Sequence, residues 1–535
     1  MGNIKTIVLI FIFLINNILT ANNISIQNVN LVGQVNNSHT FVEFDISWDN
    51  SWRLDNPSII PSNWDAVWVF LKYKIAGELS WNHATLAISG HLPAAGSTIS
   101  TSSDAKGAFI YRANNGTGSV NWADTKLKWN YAFDGIADED QVEVRVFAIE
   151  MVFIPGRSFY VGDSTTLTTD LAGQLESQTS GSPFLITGEH SLTLGGGSVG
   201  SMGNNNTVGM IDNDSTDTDD FNDLVSVNLP AAFPKGFNGF YIMKYEISQK
   251  QYVDFLNTLT RQQQNNRVTA SLSDSTVNIR NVFVMGSSSG TATPYYRNAI
   301  RCDTLIGSTP TPVNFYCDYN NNGVPNELDD GLDLPCNFLG WDDDKAYADW
   351  AGLRPMTELE FEKAARGPSS VVTGEYSWGN ADINSMRYNI NNPGAFNENV
   401  ALNALLGNAL YQDVHDSDDG DKGPFRCGIF ASSNSNRTKS GTGYYGVMDL
   451  SGNLTEKVVS IGSVNARLFT GLHGDGSLTL NGDANVSNWP IYFGFKGGGW
   501  NDLSRFLRIS ERSTVNRVEL TRFRTRGFRC VRTAP

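Results

Sequence analysis

The chain has little of the sulfur and imidazole from which most transition-metal sites are built. Its 535 residues include five cysteines and six histidines. No Cys-x-x-Cys pair occurs, and the two cysteines that are closest in sequence, Cys302 and Cys317, stand 15 positions apart. A zinc site with short ligand spacings and a copper site with neighbouring thiolates are therefore not predicted.

Positive charge is also scarce. The chain has 39 Lys+Arg against 55 Asp+Glu, which gives a formal net charge of −16. This excess of carboxylates disfavours nucleic acid or an anionic membrane as a partner and suits cation binding. Arginine is nevertheless frequent between Arg505 and Arg532. We interpret these arginines as internal counter-ions for carboxylates, and a site for an anionic ligand is the alternative.

Long apolar runs are missing beyond the N-terminus, so no other segment is predicted to span a bilayer. Residues 1–21, MGNIKTIVLIFIFLINNILTA, are typical of a secretory signal peptide that is cut after Ala21. The apolar run from Ile7 to Ile15 is short for a membrane anchor. Gly2 with Thr6 also fits a myristoylation pattern, but the apolar run that follows favours export. We therefore expect a secreted, periplasmic or cell-surface protein.

Export would place the cysteines in an oxidising compartment, where some of them should pair. Three of the five, Cys302, Cys317 and Cys336, lie within residues 302–336. A disulfide that closes this loop is the favoured pair. Because five is an odd number, at least one cysteine stays free or pairs elsewhere.

The fold class predicted from the pattern is α+β. Residues 22–147 contain runs rich in β-branched and aromatic residues, such as Thr40–Trp48, Ala66–Ile75 and Gln141–Ile149, separated by turn residues. They predict an N-terminal β-sandwich. Residues 148–535 have few regular elements, and polar stretches at about 164–230 and 264–294 are interpreted as surface insertions.

Helices in the second part are short and well delimited. Ser248 with Gln251 and Thr357 with Glu360 each form a capping box pattern ahead of an apolar face. Asp342 is predicted to cap a third helix that stops at Gly352. These are structural signals and give no chemistry by themselves.

The stretch DYNNNGVPNELD, residues 318–329, has the spacing of an isolated calcium loop. Such a loop places oxygen ligands at positions 1, 3, 5, 7 and 12 and a glycine at position 6. Gly323 occupies the glycine position, and Asn326 is available at position 9. The predicted ligands are Asp318, Asn320, Asn322, the carbonyl of Val324 and Asp329. The alternative is an Asn/Gly turn without an ion.

Ordered sequence blocks reveal a family resemblance. They are MVFIPGRSFYVG (151–162), FYIMKYEISQKQYVDFLN (240–257), GWDDDKAYADWAGLRPMTELEFEKAARG (340–367), YSWGN (376–380), YGVMDLSGNLTE (445–456), KGGGW (496–500) and GFRC (527–530). On these blocks, the chain from about residue 150 resembles the sulfatase-modifying-factor family, the formylglycine-generating enzyme domain. The resemblance implies a variant C-type-lectin-like fold with little regular secondary structure.

The resemblance also implies two calcium sites. The first uses a Gly-Asn-x-x-Glu element, matched here by Gly452, Asn453 and Glu456. The second begins at an Asn-Ile pair, matched by Asn389 and Ile390, and is expected to be completed by Asp419 or Asp421. Calcium is therefore the expected cofactor. The family's structural cysteine is matched by Cys530, but its partner position holds Ala348.

The family's oxidases use two cysteines after the glycine turn to bind copper and to convert a substrate cysteine into formylglycine. The corresponding positions here hold Asp502 and Leu507, and no cysteine occurs between residues 427 and 530. Neither side chain supplies a thiolate, so copper is not expected. KGGGW is predicted to form the floor of the family's pocket. The predicted ligand-binding cleft consists of Trp500, Asn501, Asp502 and Arg505.

The sequence thus favours an exported, calcium-stabilised, non-catalytic binding or structural module for a protein, peptide or glycan. The first alternative is a formylglycine-generating oxidase with an altered mechanism. A different enzyme that uses the same cleft, or a subunit of a surface assembly, is the second.

Overall fold

The computed structural model describes residues 23–56, 62–164, 173–178, 181–205, 219–222, 224–272, 282–302, 311–402, 405–415, 422–432, 434–519 and 521–535. Across these residues, the strands are β1 (Ser25–Val35), β2 (His39–Leu54), β3 (Asn63–Ile75), β4 (Asn82–His83), β5 (Ser97–Thr101), β6 (Ala108–Arg112), β7 (Gly116–Trp129), β8 (Val142–Ile154), β9 (Phe159–Val161), β10 (Leu175–Ser177), β11 (Phe184–Ile186), β12 (Leu192–Gly195), β13 (Met202–Asn204), β14 (Ser226–Leu229), β15 (Phe240–Met243), β16 (Ile300–Cys302), β17 (Phe315–Cys317), β18 (Arg354–Pro355), β19 (Asn389–Asn391), β20 (Asn399–Leu402), β21 (Thr455–Val458), β22 (Gly494–Lys496), β23 (Arg526–Gly527) and β24 (Cys530–Thr533).

The helices are few and short. They are α1 (Gln249–Leu256), α2 (Arg261–Arg267), α3 (Trp341–Trp350), α4 (Glu358–Arg366), α5 (Arg437–Ser440) and α6 (Val464–Arg467), with 3₁₀ turns at Gln412–Val414 and Ser504–Leu507. Several sheets and these few helices give an α+β fold in which strand predominates.

The three runs predicted as N-terminal strands lie in β2, β3 and β8, which confirms them as strands. In β2, buried and half-exposed residues alternate, with Phe44 and Trp48 pointing into an apolar cluster. Strand β2 pairs along its length with β1 and β7. The same cluster includes Val67 of β3 and Trp122 of β7, so the N-terminal strands enclose an apolar core of their own.

Strand β8 connects the N-terminal strands to the rest of the molecule. Its residues 142–152 pair with β3, and its residues 151–154 pair with β15. Strand β15 continues to β24 and then to β18, so one sheet extends through both regions. The predicted domain boundary between residues 147 and 148 falls inside β8. Trp68 of β3 also donates its indole N–H to the carbonyl of Ala351 at 2.8 Å.

Local capping explains where the helices begin. The capping boxes predicted at Ser248 and Thr357 are both present and open α1 and α4. The predicted cap at Asp342 is wrong, because the extended backbone of Gly340 caps α3. The Asp343 carboxylate accepts the Gly340 N–H at 2.9 Å. This bond uses the backbone of the cap residue, so it forms although glycine has no side chain.

The polar stretch at 164–230 was expected to be a surface insertion, but its described residues include a sheet and buried apolar side chains. Strands β10, β12, β13 and β14 within it form a four-stranded sheet. Leu175, Leu194 and Phe221 from this stretch are buried in the largest apolar cluster of the protein. In the stretch at 264–294, Phe283 and Val284 are likewise buried. Sparse apolar residues can still reach a core when short strands point them to the same face.

The predicted disulfide within residues 302–336 is also wrong, because no disulfide joins any of the five cysteines, all of which are buried and lie among the described residues. In the antiparallel pair β16–β17, Cys302 faces Phe315, whereas Cys317 faces Ile300. This register offsets the two sulfur-bearing residues along the strands, so closeness in sequence does not bring them opposite each other.

No helix among the described residues is long and apolar enough to cross a membrane. The predicted signal peptide lies outside the described residues.

Candidate functional site

The KGGGW segment forms a tight turn that packs against the 3₁₀ turn at Ser504–Leu507. Gly497 and Gly498 adopt positive φ angles of 80° and 60°. A Cβ atom on Gly498 would lie 2.7 Å from the Leu507 side chain. Lys496 is buried and donates to Glu362 at 3.1 Å. The turn therefore requires glycine both for its backbone angles and for its close contacts.

A cavity of about 220 Å³ opens beside this turn, and Gly498 and Asp502 both line it. We name it the Asp502 cavity. The Asp502 Oδ2 atom accepts the Thr455 hydroxyl at 3.0 Å and the Gly499 N–H at 2.8 Å. Burial raises the pKa of Asp502, and these hydrogen bonds lower it in part. Asp502 is thus a positioned hydrogen-bond acceptor, at one of the two positions where the family's oxidases carry a reactive cysteine.

Cationic and aromatic side chains also line the Asp502 cavity. Arg526 stacks on Phe495 and Phe523, with its guanidinium carbon 4.8 Å and 5.2 Å from the two ring centres. It also pairs with Glu519 at 2.7 Å. Phe506 completes the apolar lining. In all, two carboxylates, three cations and aromatic surface line this one small volume.

The other predicted cleft residues lie elsewhere. Trp500 is buried, and its ring packs 5.5 Å from the rings of Tyr296 and His415. Asn501 is exposed, and Arg505 lies over the Phe506 ring. None of these three lines the Asp502 cavity.

The two positions that correspond to the reactive cysteines differ in their surroundings. Asp502 lines the cavity, whereas the side chain of Leu507 is buried in an apolar cluster. No cysteine lines the cavity. Cys427 and Cys530 are both buried, and burial raises the pKa of each thiol well above its ordinary value. Cys530 and Ala348 lie in the same apolar cluster.

The loop at residues 318–324 folds as a series of side-chain-capped turns. The Asp318 carboxylate accepts the Asn322 N–H at 3.0 Å and the Gly323 N–H at 3.1 Å. The Asn322 side chain accepts the Val324 N–H at 2.7 Å, and Asn320 accepts the Asn322 N–H at 2.9 Å. These bonds draw the predicted ligands into one compact loop. Asp318 is buried and also pairs with Arg301, a partner that the sequence pattern does not indicate.

The last predicted ligand of this loop joins a different set. Asp329 lies with Glu327 and Asp330, and one carboxylate oxygen from each lies within 4.8 Å of the others. Asp330 Oδ1 is buried without a partner among the described residues. Burial raises the pKa of Asp330 to about 6, and the charges of Asp318, Asp329 and Glu327 add to the shift. A cluster of hard oxygen donors with an unused buried oxygen fits calcium.

The Gly452-Asn453-Glu456 element lies in a buried polar cluster. The Asn453 amide donates to Glu246 at 2.8 Å and accepts the Phe425 N–H at 2.9 Å. The Arg529 guanidinium donates to Glu456 Oε1 at 2.6 Å, whereas Glu456 Oε2 has no partner among the described residues. Burial raises the pKa of Glu456 to about 7 although Arg529 opposes the rise. Glu456 thus keeps one unused oxygen, but the Asn453 side chain is already bonded within the protein.

The second family-type calcium site cannot be built from the described residues. Asn389 and Ile390 lie in β19, which pairs with β20. Asp419 and Asp421 lie outside the described residues.

Carboxylates that the sequence did not single out complete two of these clusters. They are Glu327 and Asp330 in the loop cluster and Glu246 beside Asn453. Asp330 stands next to a predicted ligand, so the Asp-Asp pair was a local signal. Glu246 lies 207 positions from Asn453, and no local pattern indicates that the two meet.

Among the described residues, at least six of the nine C-terminal arginines pair with carboxylates, which confirms these six as counter-ions. Arg512 bonds both Asp219 and Glu358, and all three side chains are fully buried or nearly so. The other five pairs are Arg517 with Glu519, Arg522 with Asp343, Arg526 with Glu519, Arg529 with Glu456 and Arg532 with Asp104.

A family model covers six of the seven sequence blocks, all but residues 151–162. The model of the sulfatase-modifying factor enzyme 1-like domain matches residues 186–534. A formylglycine-generating enzyme of Thermomonospora curvata is 41% identical over 58 residues, which are 11% of this chain and 18% of that enzyme. The match thus spans less than a fifth of the enzyme's length. Treponema denticola variable protein 1 aligns with 72% of this chain and 96% of its own, at 12% identity and a TM-score of 0.27. From the extent of the family match, the chain belongs to the sulfatase-modifying factor enzyme 1-like family.

Proposed function

We propose that this protein is an exported, non-catalytic binding module that holds a protein or peptide segment in the Asp502 cavity. One observation carries the proposal: beside the glycine turn, carboxylates, cations and aromatic rings line the cavity, and none of the described lining residues carries a thiol. Formylglycine formation in the family depends on thiolates that bind copper and exchange with the substrate thiol. A carboxylate and a buried leucine do neither.

The lining of the cavity suits a side chain presented by a protein. A volume of about 220 Å³ is small for a whole ligand and admits one residue of a larger partner. Among the described residues, only Oδ2 of Asp502 has hydrogen-bond donors, so Oδ1 remains for a donor from the partner. The phenyl rings of Phe495, Phe506 and Phe523 supply apolar contact, and aromatic and arginine side chains are frequent in binding hot spots.

We also propose calcium as a structural cofactor. Glu327, Asp329 and Asp330 would hold it, because they supply clustered carboxylate oxygens with one buried oxygen unused. Bound calcium would offset the mutual repulsion of these charges and fix the loop. Glu456 and the buried carboxylates near it form a second candidate cluster. The N-terminal strands are proposed to act as a β-sandwich that presents this module.

Oxidase activity is the alternative function, because the relative from Thermomonospora curvata is named a formylglycine-generating enzyme. The purified protein is incubated with copper and a synthetic peptide that contains Cys-x-Pro-x-Arg, and the peptide mass is followed. The Thermomonospora enzyme is the positive control. We expect the peptide mass to remain unchanged. Conversion of the cysteine to an aldehyde by this protein would overturn the proposal.

Binding is tested separately on an immobilised array of short random peptides. Peptides that bind the native protein are retested with Asp502→Asn, which keeps the shape of the side chain and removes its charge. We expect a loss of about tenfold in affinity, which is the usual size of a hot-spot effect. Asp55→Asn, a change at an exposed position, is the matched control. The proposal fails if no peptide binds, or if both variants bind like the native protein.

A further inference from the structure

A second and larger cavity lies between the N-terminal strands and the family domain. It has a volume of about 830 Å³ and shares no lining residue with the Asp502 cavity. Its walls come from the ends of β3 and β4, from the segment that begins α2 and from the loop at residues 476–481. We name it the junction cavity. Its volume lies in the range of small-molecule sites.

The junction cavity carries almost no available charge. The described residues that line it include no Asp, Glu or His, although the chain has 55 acidic residues. Its two cations are buried and already bonded to backbone oxygens. Lys72 donates to the Gly476 carbonyl at 2.7 Å, and Arg261 donates to the Leu272 carbonyl at 2.9 Å. Burial lowers the pKa of both cations, and backbone carbonyls accept from them, which together disfavour a phosphate or carboxylate ligand.

The polar groups that line the junction cavity are mainly amides and hydroxyls. Hydrogen bonds to Asn481 hold two of the amide side chains in position. Gln262 donates to the Asn481 side chain at 2.9 Å, and Asn266 donates to the Asn481 carbonyl at 2.9 Å. Each of these two amides keeps a carbonyl oxygen as an acceptor. Within the described part of the chain, the side chains of Asn82 and Ser477 make no hydrogen bond. The cavity thus presents donors and acceptors side by side.

Two indoles and five leucine side chains form the apolar part of the wall. Trp81 is fixed by Lys74 and Arg145, which lie 5.0 Å and 4.2 Å from its ring centre. Trp350 is 4% exposed and also lines the cavity. Its indole N–H has no hydrogen-bond partner among the described residues. Aromatic rings with a polar edge offer a ligand both flat apolar contact and a donor.

We propose that the junction cavity binds a neutral oligosaccharide. A sugar carries neighbouring hydroxyl groups that both donate and accept hydrogen bonds. They match the N–H donors and carbonyl acceptors of amide side chains. Its C–H faces are apolar and stack on indole rings. It carries no charge, in agreement with a lining that has no carboxylate among the described residues and whose cations are buried and hydrogen-bonded to backbone oxygens. This inference concerns a different cavity and stands independently of the function proposed for the Asp502 cavity.

The test uses the purified full chain and four neutral probes: cellohexaose, maltohexaose, chitohexaose and mannohexaose. Oligogalacturonic acid is the anionic comparison. Binding is measured by titration calorimetry and by the change in tryptophan fluorescence. We expect at least one neutral probe to bind and the anionic probe to bind more weakly. The proposal is overturned if none of the four neutral probes binds, or if the anionic probe binds as tightly.

Two variants locate the binding. Trp81→Ala is expected to weaken the affinity about tenfold, as truncation of an aromatic hot spot does. Gln262→Ala changes an exposed side chain and is expected to weaken it as well, which keeps the test valid if the tryptophan variant does not fold. Trp52→Ala, in a separate cavity, is the matched control. Equal loss in the control variant, or no loss in the other two, would overturn the assignment. So would competition for the cavity by peptides from the array.

Discussion

The N-terminal strands and the family domain are stabilised by different interactions. In the N-terminal region the strands reach 16 residues, and their core is a cluster of apolar side chains. The ion pairs that lie wholly within this region are at least partly exposed, such as Lys126 with Glu43 and Lys74 with Glu143. In residues 186–534 the described strands have two to four residues, and many ion pairs are fully buried.

The difference follows from the length of the elements. Long strands satisfy their backbone in ladders and present an apolar face, so charges can remain at the surface. Short strands and irregular segments leave chain portions that no ladder connects. In the family domain, Arg512 links the segment around Asp219 to Glu358 in α4, and Arg366 links Glu362 to Glu375. In the family domain, buried ion pairs therefore join segments of the chain that sheet hydrogen bonds join in the N-terminal region.

Removal of one buried cation is the strongest test of this comparison. Arg512→Met leaves Glu358 and Asp219 buried without their partner. Loss of one member of a buried pair typically costs about 3–5 kcal/mol, because the remaining charge is not compensated. We therefore expect the free energy of unfolding, measured by urea denaturation, to fall by about 3–5 kcal/mol.

The matched control is Lys126→Met, which removes a partly exposed partner of Glu43 in the N-terminal region. We expect it to cost at most about 1 kcal/mol. Equal costs for the two variants would show that the comparison is wrong.

Calcium removal should act on the family domain, where the carboxylate cluster lies. If calcium is present at a hundred times its dissociation constant, it contributes about 2.7 kcal/mol, which a chelator removes. We expect a lower melting temperature in chelator, measured by calorimetry. In Asp330→Asn, the melting temperature should no longer respond to chelator. Asp140→Asn, in the N-terminal region, should keep the full response, and a native protein that ignores chelator would contradict the calcium proposal.

A small truncation in the apolar core tests the N-terminal half of the comparison. Ile46 is buried in the N-terminal cluster, and Ile46→Val removes one methyl group. Such changes typically cost about 0.5–1.5 kcal/mol. The free energy of unfolding should fall by this amount and show little dependence on salt, since no charge is changed. A strong salt dependence of the loss would indicate that electrostatics matter in this core too.

The smallest effect is expected at an exposed ion pair. Glu143 pairs with Lys74 and Arg145, and about half of its side chain is exposed. Glu143→Gln should cost about 0.2–1 kcal/mol at low salt. The cost should shrink further in high salt, where exposed charges are screened. Urea denaturation at two salt concentrations measures both values. A cost that does not change with salt would contradict the prediction that this ion pair is screened by solvent.

Features that depend on neighbouring residues were predictable. The alternation in β2 and the capping boxes at Ser248 and Thr357 use partners a few positions apart, so the sequence shows them directly. The disulfide was not predictable in this way. Its prediction assumed that nearness in sequence means nearness in space, whereas the register of β16 and β17 offsets Cys302 from Cys317.

The candidate site was predictable in part. Asp502 and Trp500 were predicted to share one cleft, but of the two only Asp502 lines the cavity, because the ring of Trp500 is buried against Tyr296 and His415. Arg526, which also lines the cavity, was one of nine arginines with nothing to distinguish it in the sequence. The junction cavity had no sequence signal, because its walls come from four separate parts of the chain.

By itself, the sequence determined the family, the positions of the main N-terminal strands and the absence of a cysteine pair after the glycine turn. These are properties of residue types at short spacings. The tertiary structure alone decided which charges meet. Arg512 and Asp219 stand 293 positions apart and lie within hydrogen-bond distance. An ion pair requires two groups within a few ångströms of each other, and only the path of the whole chain sets that distance.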